Sequence, residues 1–216
     1  MKLTKFVHSC LLIEKDNTKI LVDPGVYSWK SGLVSEEALS GITHVAVTHD
    51  HSDHLNQEFV EAVQKSSPSA AWYGPPEVIN QLESWGVDGC DSSEDSLVEF
   101  IESEHADLSP WFGEQPDHTS YLLLGEVLIG GDCHTLTDGR KAKVFAGAVN
   151  GGPWGGVVGY PKMIEAMTNR PEKVVPLHDW HWNDEARVGI YNRLTELMPE
   201  FNVTFLPLDN GVAVEL

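Results

Sequence analysis

Between Thr48 and Leu55, His49, His51, Asp53 and His54 fall in the order His-x-His-x-Asp-His. Imidazole nitrogens suit Zn, Fe, Mn and Co, and a carboxylate adds a harder oxygen ligand. A cluster this dense carries charge repulsion and lost packing unless an ion binds it. The plain alternative is a solvated polar loop, and the flanking sequence argues against it, because a motif counts only in its context.

The elements that must position the cluster are legible on both sides. Residues 41–47, with Ile42, Val45 and Val47, read as a buried strand. Residues 56–64 read as an amphipathic helix with Phe59, Val60 and Val63 on one face. The cluster thus lies between a strand's carboxyl end and a helix's start, where α/β proteins often place active sites.

A chain of 216 residues is read as a single domain, 1–216, with enough length for a sizeable core. Its 41% hydrophobic and 22% charged residues suit a globular protein. The net charge of −19 disfavours polyanionic partners such as RNA, DNA or an anionic membrane surface. A small-molecule substrate is expected instead, with homo-oligomerisation left open. Cys10, Cys90 and Cys133 are too scattered for a disulfide framework. The apolar run at Leu11, Leu12 and Ile13 is too short for a signal peptide, and no run approaches the ~18 apolar residues of a membrane helix. No membrane insertion and a cytoplasmic location are expected.

The rest of the chain alternates strands and helices. Residues 2–7, 10–14 and 19–22 are predicted strands, the last two joined by a turn at Asp16 and Asn17. Residues 26–40 read as loop with a short helix, and 69–73 as a strand. A helix follows from Pro75 to Trp85, with proline inside its start and Gly86 past its end. Residues 87–96 read as an acidic surface connection. Strands are expected at 97–102, 120–124, 127–130, 172–177, 203–206 and 212–215. A short helix is expected at 163–167, and another after Asn183, with Ala186, Ile190, Leu194 and Leu197 on its buried face. The glycine-rich stretch 150–161 has the wrong spacing for a dinucleotide fingerprint and reads as a flexible or close-approach loop. This β-α rhythm argues for a layered α/β fold.

Strand ends then collect His8, His49, His51, Asp53, His54, His105, Asp132 and His178. If those ends converge, they hold donors enough for two metal ions. His8 reads equally as a polar residue at a strand edge. His44, inside a strand, reads as structural.

With these landmarks the chain resembles the metallo-β-lactamase superfamily over nearly its whole length, on the His49-x-His51-x-Asp53-His54 signature. His8-Ser9, Ile20 to Pro24, Gly131-Asp132 and Val174 to Asp179 are similar to its branch of small cytosolic hydrolases, related to ascorbate-phosphate lactonases and N-acyl-phosphatidylethanolamine phospholipases. The resemblance implies a four-layer αββα sandwich of two facing mixed sheets with outer helices. It implies two Zn2+ ions, with Mn2+ or Fe as alternatives. The first would take His49, His51 and His105, the second Asp53, His54 and His178, with Asp132 bridging. His118 competes with His105, and His181 with His178. His105 is preferred because it follows a strand directly, His178 because it ends one after Pro176. Cys133 stands where the family more often has threonine or serine, and a buried inert thiol is its expected state.

The chemistry implied is hydrolysis of an ester, lactone, amide or phosphodiester bond. A metal lowers the pKa of bound water towards ~7, so hydroxide is available at neutral pH. Asp53 would ligate and orient that nucleophile. His118 or His181 could donate to the developing oxyanion, and Asp23 could accept from a ligating imidazole N–H. The competing functions are a nuclease of the same fold, which the charge disfavours, an iron-dependent oxygenase, and a non-catalytic metal binder. The basic group Arg140, Lys141 and Lys143 reads as a solvated turn.

Overall fold

The structure, a computed structural model, describes residues 1–91, 93, 95–107, 114–136, 140–150 and 157–216. The loop expected at 150–161 falls partly outside them, at residues 151–156. The chain forms two compact units, one from residues 1–95 with 208–216 and one from 96–207. Each is built on one mixed β-sheet, and the chain is of the α/β class.

The first unit begins with β1 (Lys2–Lys5), β2 (Leu11–Lys15) and β3 (Thr18–Val22). Lys15 pairs with Thr18 across a two-residue turn in which Asp16 has φ 52°. A short residue with a local hydrogen-bonding side chain tolerates that left-handed geometry. Two short helices follow, α1 (Val26–Lys30) and α2 (Glu36–Leu39), where one had been expected. Next come β4 (His44–Ala46), α3 (Gln57–Ser66), β5 (Ala71–Tyr73), α4 (Pro76–Ser84), β6 (Cys90–Asp91) and, from the far end of the chain, β13 (Ala213–Glu215). The seven strands run in the order β13-β1-β2-β3-β4-β5-β6, with β3 to β6 parallel. The two-residue β6 lies in the stretch read as a plain connection.

Alternation puts Leu12, Leu21, Val45 and Trp72 into one core. Phe59, Val60 and Val63 of α3 and Val78 and Leu82 of α4 fill that core from their helices. Burying each such side chain contributes about 1.5–3 kcal/mol. The Asn56 side chain caps α3 by accepting from the Phe59 amide at 3.1 Å.

The second unit contains β7 (Val98–Glu102), β8 (Thr119–Leu123), β9 (Val127–Gly131), β10 (Val144–Ala148), α5 (Gly159–Ala166), β11 (Lys173–Leu177), α6 (Asp184–Leu197) and β12 (Thr204–Phe205). Their order is β12-β11-β10-β9-β8-β7. Strands β9 to β12 are parallel, while β8 is antiparallel to both its neighbours. Every residue of β9 and β10 is buried, as central parallel strands require.

Strand β10 is absent from the sequence reading. Its Ala146, Gly147 and Ala148 carry little strand signal. The small residue serves close packing: a Cβ on Gly147 would lie 2.3 Å from the Phe145 ring. Helix α6 is capped by Asn183, whose side chain accepts from the Ala186 amide at 2.8 Å. Its expected buried face is only partly realised. Leu194 is buried, Ile190 and Leu197 are half-buried, and Ala186 is exposed. No described helix is long and apolar enough to cross a membrane.

Candidate metal centre

The donors of the first unit leave one edge of its sheet. Strands β1, β3 and β4 run in the same direction, and their carboxyl ends lead to His8, Asp23 and His49. The turn after Asp50 is closed by the His54 and Leu55 amides donating to the His51 carbonyl at 2.9 and 2.8 Å. It is packed tightly against Gly25, where an added Cβ would lie 1.8 Å from the Asp53 carbonyl oxygen. Only glycine lets the two segments approach so closely.

Hydrogen bonds set the tautomers. Asp23 is wholly buried, with φ 47°. Its carboxylate accepts from the Thr48 amide at 2.8 Å, the Thr48 hydroxyl at 3.0 Å and His54 Nδ1 at 2.8 Å. A carboxylate can only accept, so His54 carries its proton on Nδ1 and its lone pair on Nε2. The Thr48 hydroxyl, donating to Asp23, accepts from His49 Nδ1 at 2.9 Å, which puts the His49 lone pair on Nε2 as well. His49 Nε2 is 3.0 Å from His51 Nδ1. Two imidazole nitrogens bound to one tetrahedral zinc lie roughly 3.3 Å apart, given bonds of about 2.0–2.1 Å. His8, Asp53 and His54 also offer ligand atoms within 4.8 Å of one another.

His8 is not at an exposed edge. It is fully buried, and its Nε2 meets Asp53 Oδ2 at 2.9 Å. Tyr27 packs edge-on against it, with ring centroids 5.1 Å apart. Burial, then the Asp53 carboxylate, raises the Tyr27 phenol above its ordinary pKa.

The second unit repeats the plan. Asp132, Asn150 and His178 follow the carboxyl ends of the adjacent parallel strands β9, β10 and β11. His105 follows β7, and His118 immediately precedes the oppositely directed β8, on the same edge of the sheet. His105 Nδ1 donates to the Ala106 carbonyl at 2.7 Å, so its lone pair is on Nε2. His178 Nδ1 meets Asn150 Oδ1 at 3.3 Å. The Nε2 atoms lie 3.6 Å (His105) and 3.1 Å (His178) from Asp132 Oδ2. His178 has φ 64°, a left-handed conformation that a non-glycine residue holds only when its surroundings impose it.

Imidazole Nε2 atoms therefore stand beside a carboxylate oxygen in both units. In the first unit His54 Nε2 stands 3.9 Å from Asp53 Oδ2. A proton or a metal ion between them satisfies imidazole–carboxylate pairs of this kind. Protonating every ring would crowd like charges together, whereas a metal ion satisfies imidazole and carboxylate donors at once. The residues present fit a divalent metal of the nitrogen- and oxygen-binding class.

His118 is placed differently. Its Nε2 accepts from the Asp132 amide at 3.1 Å and its Nδ1 meets Ser103 Oγ at 2.8 Å. That uses Nε2 as an acceptor, the reverse of the oxyanion donor expected there, and makes His118 a brace for the Asp132 turn. His181 is exposed, its ring 5.8 Å from that of His178. Burial is the main cause of a lowered His134 pKa. Cys133 is buried. Asp179, next to His178, accepts from the Tyr191 hydroxyl at 2.6 Å and so ties α6 to the end of β11. Sequence reasoning missed Thr48, as the link between Asp23 and two imidazoles, and Asn150, whose strand was unrecognised.

Two mixed sheets, each presenting imidazole and carboxylate donors from its strand ends, define an α/β protein of the metal-binding class. A family model described as a beta-lactamase superfamily domain matches residues 2–178, and the chain belongs to that superfamily. Protein Rv0786c of Mycobacterium tuberculosis is 27% identical over 231 residues, covering 98% of this chain and 99% of that protein. The UPF0173 metal-dependent hydrolase mll0680 of Mesorhizobium japonicum is 41% identical over 92 residues. That match covers 41% of this chain and 37% of the relative, well under half of its length. Among solved structures, Igni18, a metallo hydrolase from the hyperthermophilic archaeon Ignicoccus hospitalis, shares the fold at a TM-score of 0.69 with 19% identity. The alignment covers 100% of this chain and 98% of that one.

Proposed function

We propose that the chain is a metal-dependent hydrolase of the beta-lactamase superfamily. It acts on an ester, lactone, amide or phosphodiester bond of a small molecule. The observation that carries this reading is the set of imidazole Nε2 atoms held beside the carboxylates of Asp53 and Asp132. The naming of mll0680 as a metal-dependent hydrolase supports it. The proposed ligands are His49, His51, Asp53 and His54, with His105, Asp132 and His178. Two zinc ions share them in this reading.

When bound, a metal of this class lowers the pKa of a coordinated water to about 7 and polarises the substrate oxygen. The protein's own residues supply the order. Asp23 and Thr48 keep His49 and His54 in the ligating tautomer. The Ala106 carbonyl does the same for His105, and Asn150 contacts the His178 ring. Asp53 would ligate and orient the attacking water by accepting a hydrogen bond from it. His118 braces Asp132, and His181 is the remaining candidate donor to the developing oxyanion.

The test is metal analysis of native protein together with a panel of esters, lactones, amides and phosphodiesters, with Asp53→Ala as control. Bound metal and turnover abolished in Asp53→Ala are expected. Full activity in Asp53→Ala would refute the assignment.

A further inference from the structure

We infer that His8 is a positioning residue for Asp53, its buried Nε2–H fixing the carboxylate that the proposed function uses as a ligand. The inference deepens that reading and rests on it. Asp53 Oδ2 can only accept when ionised, so at 2.9 Å the proton belongs to His8 Nε2. The neighbouring Ser9 hydroxyl donates to the Asp53 carbonyl oxygen at 2.8 Å. Two consecutive residues of one turn therefore grip both the side chain and the main chain of the same aspartate.

The turn is built to hold that grip. His8 has φ 63°, a strained value for a residue with a Cβ. Strain of this kind persists only where the surroundings over-determine it, and it concentrates at functional sites. The surroundings here are the Phe6 amide on the Cys10 carbonyl at 3.0 Å and two bonds between Val7 and the buried Ser28 hydroxyl, at 2.6 and 3.1 Å. Tyr27 and His54 both pack edge-on against the ring. An aspartate turns about two side-chain bonds, and a fixed donor on one oxygen removes that freedom before a metal arrives. Outer partners of this kind typically change metal affinity by about 10–100-fold.

The experiment compares Zn2+ affinity, by competition with a chromophoric chelator, in the wild type, His8→Leu and His8→Gln. Circular dichroism and thermal melts establish that each variant is folded. Leucine keeps an apolar side chain of similar size without the donor. Glutamine places an amide N–H near the imidazole Nε2. We expect His8→Leu to lose about 10–100-fold in affinity for the more weakly held ion and His8→Gln to recover most of it. Wild-type affinity in His8→Leu overturns the inference and leaves the hydrolase reading intact. A wild type that binds no metal overturns that reading and the inference with it. If His8→Leu does not fold, 15N shifts of the imidazoles in 113Cd-loaded wild type decide. A proton on His8 Nε2 is expected, and a 113Cd–15N coupling at His8, which would make it a ligand, overturns the inference.

Discussion

His54 Nδ1 lies 2.8 Å from Asp23 Oδ2, with both side chains buried. The pair shows how the first unit prepares a donor. Strand β3 delivers the carboxylate, the loop after β4 delivers the imidazole, and the bond between them decides which ring nitrogen keeps its lone pair. Thr48 extends the arrangement to His49.

Asp23→Asn should weaken this preparation, because an amide can present N–H where His54 needs an acceptor. Metal affinity should fall by about 10–100-fold. Stability should fall by about 1–3 kcal/mol as the donors around Asp23 lose a charged partner. Chelator competition and urea unfolding measure the two effects. An Asn variant with unchanged affinity would show that the His54 tautomer does not depend on Asp23.

Gly25→Ala tests the close approach of the 23–26 segment to the ligand loop. Its Cβ would fall 1.8 Å from the Asp53 carbonyl oxygen and 2.8 Å from the His54 amide nitrogen. Backbone must move, so we expect a loss of about 3 kcal/mol or more together with metal binding. Gly189→Ala is the control. Nothing lies within 4 Å of its added Cβ inside α6. There alanine should be neutral or stabilising by up to about 1 kcal/mol. Equal effects of the two substitutions in urea denaturation would contradict the packing described.

His118→Ala should separate bracing from ligation. It removes the acceptor of the Asp132 amide and the partner of Ser103. A buried donor left unmet costs about 1–3 kcal/mol, so the melting temperature should drop while metal stoichiometry by elemental analysis is retained. Loss of one metal equivalent in a folded variant would instead make His118 a ligand.

His44 should add acid sensitivity. Burial lowers its pKa, and the Asp95 carboxylate at 3.7 Å opposes this only partly. As pH falls through about 6.5, the ordinary histidine value, the unfolded chain takes up a proton that the folded chain accepts only at lower pH. Stability is therefore lost as pH falls through that window. His44→Gln should narrow the difference in urea midpoint between neutral and mildly acidic buffer. An unchanged difference would show that His44 titrates alike in both states.

The ligand loop was legible in the sequence because its chemistry is local. Four donors, a β-branched strand before them and a capped helix after them lie within residues 41–66. The α/β class followed from the same alternation. What stayed hidden depends on long-range packing. Strand β10 is marked by burial between β9 and β11, which Ala146, Gly147 and Ala148 do not advertise. His8 read equally as a site residue and as a strand-edge residue, because its partner, Asp53, is 45 positions away. What the ring nitrogens of His118 and His105 touch is something no spacing rule reports.

Adding metal back to chelator-stripped protein while following hydrolysis of a responsive substrate tests the central claim most directly. The account predicts no turnover in the stripped protein and a rise to a plateau near two Zn2+ equivalents per chain, about the loading of a dinuclear site. Turnover that is independent of metal, or tight metal binding with no turnover on any ester, lactone, amide or phosphodiester, would contradict it.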